Sequence, residues 1–484
     1  MIKSFINKFR NASVEVKASL SYTVCNIIQR CMSFITLPLF ARILTEAENG
    51  KTHYFQSVEA IVTIFISLNL AYGSFNRAMV KFEDRRDEYI ASVNGIVAAL
   101  GSIFLAVYLT FRDFFNGLLK LPTILVVFMI VHIVFSHATA CWQAKKRFEY
   151  NYKKIIAQML TLIICAPILS FILINVFEDR GVGKVIGGIL ASVVLGGVIF
   201  VQSFIKGKKF FNKEFWKYAL GFNIPLIPYY LSQVIFNQSD KIMIEYMLGE
   251  TEVGLYGMAY SLALILVFVL NAINNSYLPW LYDKLKNGGT KKNQKISTGI
   301  AILMAVLLLL IIIAAPEIMY IMAGKRYAGA VWAVPPVAMS LLFQFLTQLF
   351  VNVEFFYEEK KGLVFGTILA AVVNIGLNYV LIPVYGYVAA AYTTLISYII
   401  FAVMNFLSYK RILKKHKRED DLYNYKALIG ITVAFLVAGF GFMMLYEFII
   451  VRYVIVLIGL VMAIIFRKKL KGIYTKFKNR NNES

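Results

Sequence analysis

Apolar runs of about twenty residues follow one another from Ala18 to Phe466, with short polar segments between them. A run of that length, wound as an α-helix, matches the hydrocarbon thickness of a bilayer. The chain is therefore expected to be an all-α polytopic membrane protein. Only 16% of its residues are charged and 59% are hydrophobic, whereas a soluble domain carries about 25% charge. The expected spans are 18–40, 54–76, 89–110, 121–142, 155–177, 185–205, 219–239, 253–278, 297–322, 331–353, 362–382, 387–409, 427–446 and 448–466, about fourteen transmembrane helices. Glu447 and Arg452 leave almost no loop between the last two.

Lysine and arginine test this arrangement, because short cytoplasmic loops collect them. The N-terminus, the loops 77–88, 143–154, 206–218, 283–295, 354–361 and 410–426, and the C-terminal tail all fall on one side. They hold about 39 of the 50 basic residues, against about 10 on the other side. Both termini are thus expected in the cytoplasm. This distribution also accounts for the net charge of +23 as membrane topology and contact with anionic lipids, so nucleic acid is not an expected partner. Lys3, Lys8, Arg10 and Lys17 precede a long first span, with no clear cleavage site, so that span is expected to be retained. Cys25, Cys31, Cys141 and Cys165 lie inside apolar runs without metal or disulfide spacing and read as small packing residues.

A short echo relates the two halves. Leu44-Thr45-Glu46-Ala47-Glu48-Asn49-Gly50 follows the first span and Leu248-Gly249-Glu250-Thr251-Glu252-Val253-Gly254 follows the seventh. Both read L-x-E-x-E-x-G, and the pairs Gln29/Gln233 and Ser57/Ser261 keep the same offset. Both copies sit outside and lead into an even-numbered span, which implies two parallel-related lobes of about six helices around a cleft, plus two C-terminal helices. The expected division is residues 1–218, 219–410 and 411–484. The acidic pairs raise a catalytic alternative, but Thr45-x-x-Glu48 has the form of a capping box, and carboxylates are favoured at a helix N-terminus.

Ionisable and amide side chains inside apolar runs are candidates for function. Arg30, deep in the first span, shares a face with Asn26 and Ser33, and a guanidinium there must meet water, an acid or an anion. Gln233, Asn237, Asp240 and Lys241 form a stripe in span seven, where Pro225 and Pro228 should kink or break the helix. Asn271 and Asn275, then Gln344, Gln348 and Asn352, then Asn374 and Asn378 add polar stripes whose alternatives are helix packing and substrate contact. His132, Ser136 and Gln143 share a face of span four, with proton relay and packing as the alternatives. Arg77 and Lys81 stand at the inner end of span two, where gating and anchoring are open. Glu317 and Glu354, near span ends, are expected to snorkel. No nucleotide loop or zinc motif occurs, and loops of at most about seventeen residues leave no room for an ATPase domain. No cofactor is expected; protons, sodium ions, the membrane potential or the substrate's own gradient remain as energy sources.

Three stretches resemble the polysaccharide-biosynthesis flippases, the Wzx-type O-antigen transporters of the MOP exporter superfamily. They are Leu37-Pro38-Leu39-Phe40-Ala41-Arg42-Ile43-Leu44 through Gly50; Ser239-Asp240-Lys241-Ile242 with Val253-Gly254-Leu255-Tyr256 and Ala259-Tyr260; and Asn374, Asn378-Tyr379, Ile382-Pro383, Gly386, Ala389-Ala390-Ala391 and Thr393-Thr394. Similar proteins usually have Gly where Ala389 stands. The resemblance implies a MATE-like fold and a cationic cavity between lobes. It also implies export of an undecaprenyl-pyrophosphate-linked oligosaccharide across the bacterial inner membrane by alternating access, for O-antigen or capsule synthesis. A polymerase and a chain-length regulator would be partners. Arg30, helped by Lys241 and Arg77, would attract the pyrophosphate, and the amides would hold the sugar, with Arg77 and Asp240 gating or coupling. The rivals are a MATE-type small-molecule exporter, expected to carry deep acidic residues where the one deep charge read here is positive, and a membrane glycosyltransferase or polymerase, which would need a large external loop.

Overall fold

The computed structural model describes residues 13–288, 290–359, 361–418 and 421–465. Among them are seventeen α-helices and no strand, as a bilayer demands of a chain that must satisfy its backbone groups internally. The first half comprises α1 (Val14–Ile43), α2 (Glu46–Ser67), α3 (Phe75–Lys81), α4 (Arg86–Thr110), α5 (Arg112–Leu119), α6 (Thr123–Phe148), α7 (Tyr152–Leu173) and α8 (Arg180–Gly207). The second comprises α9 (Lys213–Asn223), α10 (Ile227–Met247), α11 (Glu250–Asn287), α12 (Thr290–Ala323), α13 (Val334–Phe356), α14 (Lys361–Tyr385), α15 (Tyr387–Lys415), α16 (Tyr425–Met444) and α17 (Ile449–Ile465).

Eleven of the described helical segments are long and apolar enough to cross a membrane by length and composition. With α1, the charged α2 and the short α17 beside them, the architecture has about fourteen spans. Expected span 54–76 is interrupted: α2 ends at Leu68, which takes a left-handed conformation, and α3 starts only at Phe75. Expected span 219–239 is divided by a 3-10 turn, Ile224–Leu226, between α9 and α10. Pro225 lies in that turn and Pro228 at the start of α10, and each lacks the N–H an unbroken α-helix would need there.

Packing sorts the helices into two groups. α4, α6, α7 and α8 pack on one another, with α1 against α7 and α2 against α6 and α8. In the second group α11, α12 and α13 pack mutually, α15 packs on α13 and α14, and α14 also meets α10. The groups meet where α2 lies on α10 and α11 and where α1 touches α12. The terminal helices attach to the second group: α16 packs on α12, and Arg452 of α17, 1% exposed, pairs with Glu317 of α12. Glu354 does not snorkel as expected. It is 1% exposed, and its Oε2 accepts the Leu363 N–H at 3.0 Å, satisfying a donor at the start of α14.

Each copy of the echo begins a helix, α2 or α11. At the first, Thr45 and Glu48 close a reciprocal capping box, with Thr45 N–H donating to Glu48 Oε2 at 2.7 Å and Glu48 N–H to Thr45 Oγ1 at 3.3 Å. At the second, Gly249 enters the helix at φ 109°, a conformation that favours glycine. The two N-termini then press on each other. A Cβ on Gly50 would stand 1.8 Å from the Glu250 carbonyl oxygen, and one on Gly254 would stand 2.0 Å from that of Glu46. One turn on, a Cβ on Gly257 would stand 2.3 Å from the His53 ring. The repeated glycine is thus the means by which two backbones touch, as small residues allow in membrane interfaces.

Candidate functional site

This contact seals one end of the molecule. Around it Lys51 pairs with Asp179 and lies 3.5 Å from Glu250, which ties α2 to both the α7–α8 loop and α11. Arg42 donates to the Ile321 carbonyl at 2.8 Å, tying α1 to α12. Asn49 donates to the Tyr327 hydroxyl at 2.8 Å. Outside the membrane-spanning segments, the Asp179 carboxyl feels two opposed effects. Burial raises its pKa, but the Lys51 hydrogen bond and the Val182 N–H outweigh it and hold the group below its ordinary value. The opposite end carries Lys145, Lys146 and Arg147, with Lys145 donating to Asp87 at 2.6 Å.

Below the seal lies a cavity of about 640 Å³, walled by Thr36 and Phe40 of α1, His53, Gln56 and Glu59 of α2, His132 of α6, Lys184 and Gly188 of α8, and Ser261 and Phe268 of α11. A second cavity of about 530 Å³ adjoins it, sharing Thr36, Ala166, Pro167 and Gly188, and reaches Gln29, Gln143 and Arg147 at the basic end. Together they form a passage from the basic end to the seal. Its walls come mostly from the first half, with α11 and α12 closing one side.

Charge is concentrated at two levels. Near the seal, Lys184 Nζ donates to Asn49 Oδ1 at 2.5 Å and stands 5.3 Å from the Phe40 ring centroid. An ammonium has three donors, so Asn49 leaves this one with capacity for a ligand beside it. His53 lies next to it, with Lys184 and Lys241 as its cationic neighbours. Deeper, Glu59 and His132 approach to 2.6 Å between Oε1 and Nδ1, and His132 Nε2 lies 3.2 Å from Ser192 Oγ. An ammonium is retained inside a membrane when water or an anion can solvate it. The arrangement therefore suits a ligand with an anionic head and polar groups behind it.

A second polar cluster is built differently. Asp240 of α10 accepts from Tyr256 at 2.6 Å, from Asn378 Nδ2 at 2.7 Å and from Thr394. Ser239 donates to Asn374 Oδ1 at 2.7 Å, and Thr393 to Asn378 Oδ1. Lys241 donates to Gln238 Oε1 at 3.3 Å, and that oxygen also accepts from Ser57 of α2 at 2.9 Å. Ser239, Asp240, Lys241, Asn374 and Asn378 are all buried. The second and third stretches of the resemblance thus converge on one closed network joining α10, α11, α14 and α15.

The site expected from sequence is redistributed accordingly. Asn374, Asn378 and Asp240 do not line the passage; Asp240 and Asn378, with the Asn374 carbonyl, are engaged inside their own helix group. Lys241 is held by Gln238 beside the interface. Gln233 donates to the Tyr229 hydroxyl at 3.3 Å, and Asn237 donates to the Gln233 carbonyl at 2.7 Å. Gln348 donates to Asn352, which donates to Asn274, at 2.9 and 2.7 Å. Gln344 is half-buried, and Asn271 and Asn275 are exposed on α11; neither cavity includes any of the three. Arg77 is exposed with its guanidinium 5.9 Å from the Phe222 ring centroid. The backbones of Asn26 and Arg30 belong to α1, but their side chains fall outside the described residues. Of the residues singled out in span four, His132 and Gln143 do line the passage; His53, Glu59 and Lys184, which line it as well, were not singled out in the sequence. Glu59 also corrects the expectation that the one deep charge is positive. It sits inside the apolar run 54–76, and an acid there is itself a signal.

A model of the polysaccharide biosynthesis protein family matches residues 16–284, more than half of the chain. The chain belongs to that family. An uncharacterized membrane protein of Haemophilus influenzae is 23% identical over 367 residues, which are 75% of this chain and 89% of that one. Among solved structures, the Lipid II flippase MurJ in an inward closed conformation superposes with a TM-score of 0.69 at 14% identity, over 93% of this chain and 99% of that one. An inward-facing multidrug resistance MATE family transporter of the MOP superfamily gives 0.63 at 14% identity, over 84% and 100%. This family member therefore shares its fold with those two structures, and it is a multi-pass membrane protein.

Proposed function

We propose that the chain is a flippase that carries an undecaprenyl-pyrophosphate-linked oligosaccharide from the cytoplasmic to the outer leaflet of a bacterial inner membrane. The observation that carries this reading is the Lys184 ammonium at the head of the passage, with the His53 ring beside it, beneath a seal and reached from the basic end. The surplus of lysine and arginine in the loops of that side supports a cytoplasmic location for it and for both termini. A pyrophosphate would enter past Arg147 and settle against Lys184. Gln56, Ser261 and Gln143 supply hydrogen-bonding groups for sugar along the walls. Separation of α2 from α11 at Gly50 and Gly254 would then open the outer side, while the basic end closes. The matched family and the MurJ-like fold support a lipid-linked substrate, and O-antigen or capsule synthesis is the process we assign. A polymerase would consume the product outside, with a chain-length regulator beside it. Coupling to an ion gradient or the membrane potential supplies direction.

Glu59 gives a MATE-type exporter of organic cations a specific foothold. Its carboxylate is, however, already engaged by His132, and Lys184 shares its cavity. Of the two acids the glycosyltransferase alternative would use, Glu46 and Glu48, the second turns back into the capping box. The test is transfer of a fluorescent isoprenyl-pyrophosphate oligosaccharide across proteoliposomes. The wild type should expose it on the far leaflet, and Lys184→Gln should slow transfer at least about tenfold, a loss of about 1.4 kcal/mol of binding. Absence of transfer by the wild type, with export of an organic cation instead, would overturn the reading.

A further inference from the structure

We infer that the pocket between the basic ends of α14 and α15 holds the phosphate of an anionic phospholipid from the adjoining leaflet. This space is about 300 Å³ in volume and shares no lining residue with the passage. Lys361 and Phe365 come from the start of α14, and Met404, Ser408, Arg411 and Lys415 from the end of α15. The four on α15 follow at spacings of three or four, so they share one helix face. Gly362 brings the two helices together, since a Cβ there would stand 1.9 Å from Ser408 Oγ. Glu354 ties down the same corner by accepting the Leu363 N–H at 3.0 Å. The floor of the pocket is thus fixed by the fold.

Its charge is unbalanced. Three cations border the space with one carboxylate, Glu359, which is already paired with Lys415. Lys361 and Arg411 have no ion-pair partner among the described residues. Even with Glu354 counted beneath the floor, the cations outnumber the carboxylates. Arg411 offers a planar fork of donors that suits a phosphate, and Lys361 adds a second charge from the facing helix.

The apolar part lies deeper. Met404 precedes Arg411 by seven residues, about 10 Å further into the membrane by helical rise, and Phe365 is 59% exposed on the neighbouring helix. The interfacial layer of a leaflet is about 5–8 Å thick, so phosphate at Arg411 places hydrocarbon against Met404 and Phe365. A soluble phosphate would leave that apolar wall bare. A zwitterionic lipid would bring its own cation towards Lys361 and Arg411. Basic pockets between helices at the cytoplasmic side recognise anionic headgroups on these grounds. By bridging Lys361 and Arg411, the headgroup fastens together the ends of the two helices that carry Asn374, Asn378, Thr393 and Thr394. Nothing in this inference depends on what the passage carries.

The experiment is photolabelling of the full-length protein in proteoliposomes. The probes are a phosphatidylglycerol and a phosphatidylcholine with the same diazirine-bearing acyl chain, and attachment sites are mapped by peptide mass spectrometry. In wild type the phosphatidylglycerol probe should label residues 361–365 and 404–412 at least about fivefold more than the phosphatidylcholine probe, as expected for even one cation near the surface. Unlabelled phosphatidylglycerol should compete at those residues, and millimolar inorganic phosphate should not. Lys361→Gln with Arg411→Gln, two exposed positions, should abolish the preference there while labelling of the other helices stays unchanged. Equal labelling by the two probes in wild type, or an undiminished preference in the double variant, would overturn the inference. Displacement by inorganic phosphate would overturn the assignment to a phospholipid.

Discussion

The cavity near Lys184 and the network around Asp240 contain the same kinds of residue and put them to opposite uses. In the second helix group Asp240, Asn374, Asn378, Thr393 and Thr394 answer one another, so that amides and a carboxylate become internal fastenings. In the first group Lys184, His53, Gln56 and Glu59 border space. Polarity inside a membrane protein thus separates into groups that have found protein partners and groups that await a solvent or ligand. Only the second kind marks a passage.

Substitution should separate the two regions by what fails. Asp240→Ala leaves three buried donors without an acceptor, and a cost of about 3–5 kcal/mol is expected, seen as a large drop in Tm and poor recovery from the membrane. Gly254→Ala drives a Cβ into the Glu46 carbonyl. It should cost about 1–3 kcal/mol as overpacking and open the outer side, read as labelling of a cysteine at Thr52 by an impermeant reagent from outside. Lys184→Gln should leave Tm unchanged while ligand binding falls about tenfold. Were Lys184→Gln to unfold the protein, or Asp240→Ala to spare its stability, the contrast would collapse. Thr45→Ala removes the capping box and should cost about 1 kcal/mol. Smallest is the pH effect at the rim. The lowered Asp179 contributes stability above its ordinary pKa of 3.8 that is lost as pH falls through the lower folded value. The Lys51 tie should therefore loosen only in strong acid, as followed by outside labelling at Thr52.

The fold was legible because the bilayer leaves few choices: apolar length marks helices, and loop charge marks their direction. The echo was legible too, and its glycine became the contact between halves. Its acids were read correctly at Glu48, where Thr45 at the required spacing marks a cap. The site was not legible to the same degree. Asn374 and Asn378 look in sequence like any pair of buried amides; that Ser239, Asp240 and Thr393 answer them depends on two other helices. Lys184 was hidden because it lies one residue before an apolar run and resembles a loop lysine, although the helix already begins at Arg180. Glu59 lacked that excuse, since an acid inside an apolar run is visible from sequence alone.

The central claim is that water and an anion reach the head of the passage from the basic end. Gly188 lines both cavities, and a Cβ there would lie 3.6 Å from the nearest atom, Ser170 Oγ, so a cysteine fits. With the four native cysteines replaced, Gly188→Cys should react with an impermeant thiol reagent applied from the cytoplasmic side and be protected by farnesyl pyrophosphate. A cysteine that reacts from neither side would show a dry interior and contradict the account.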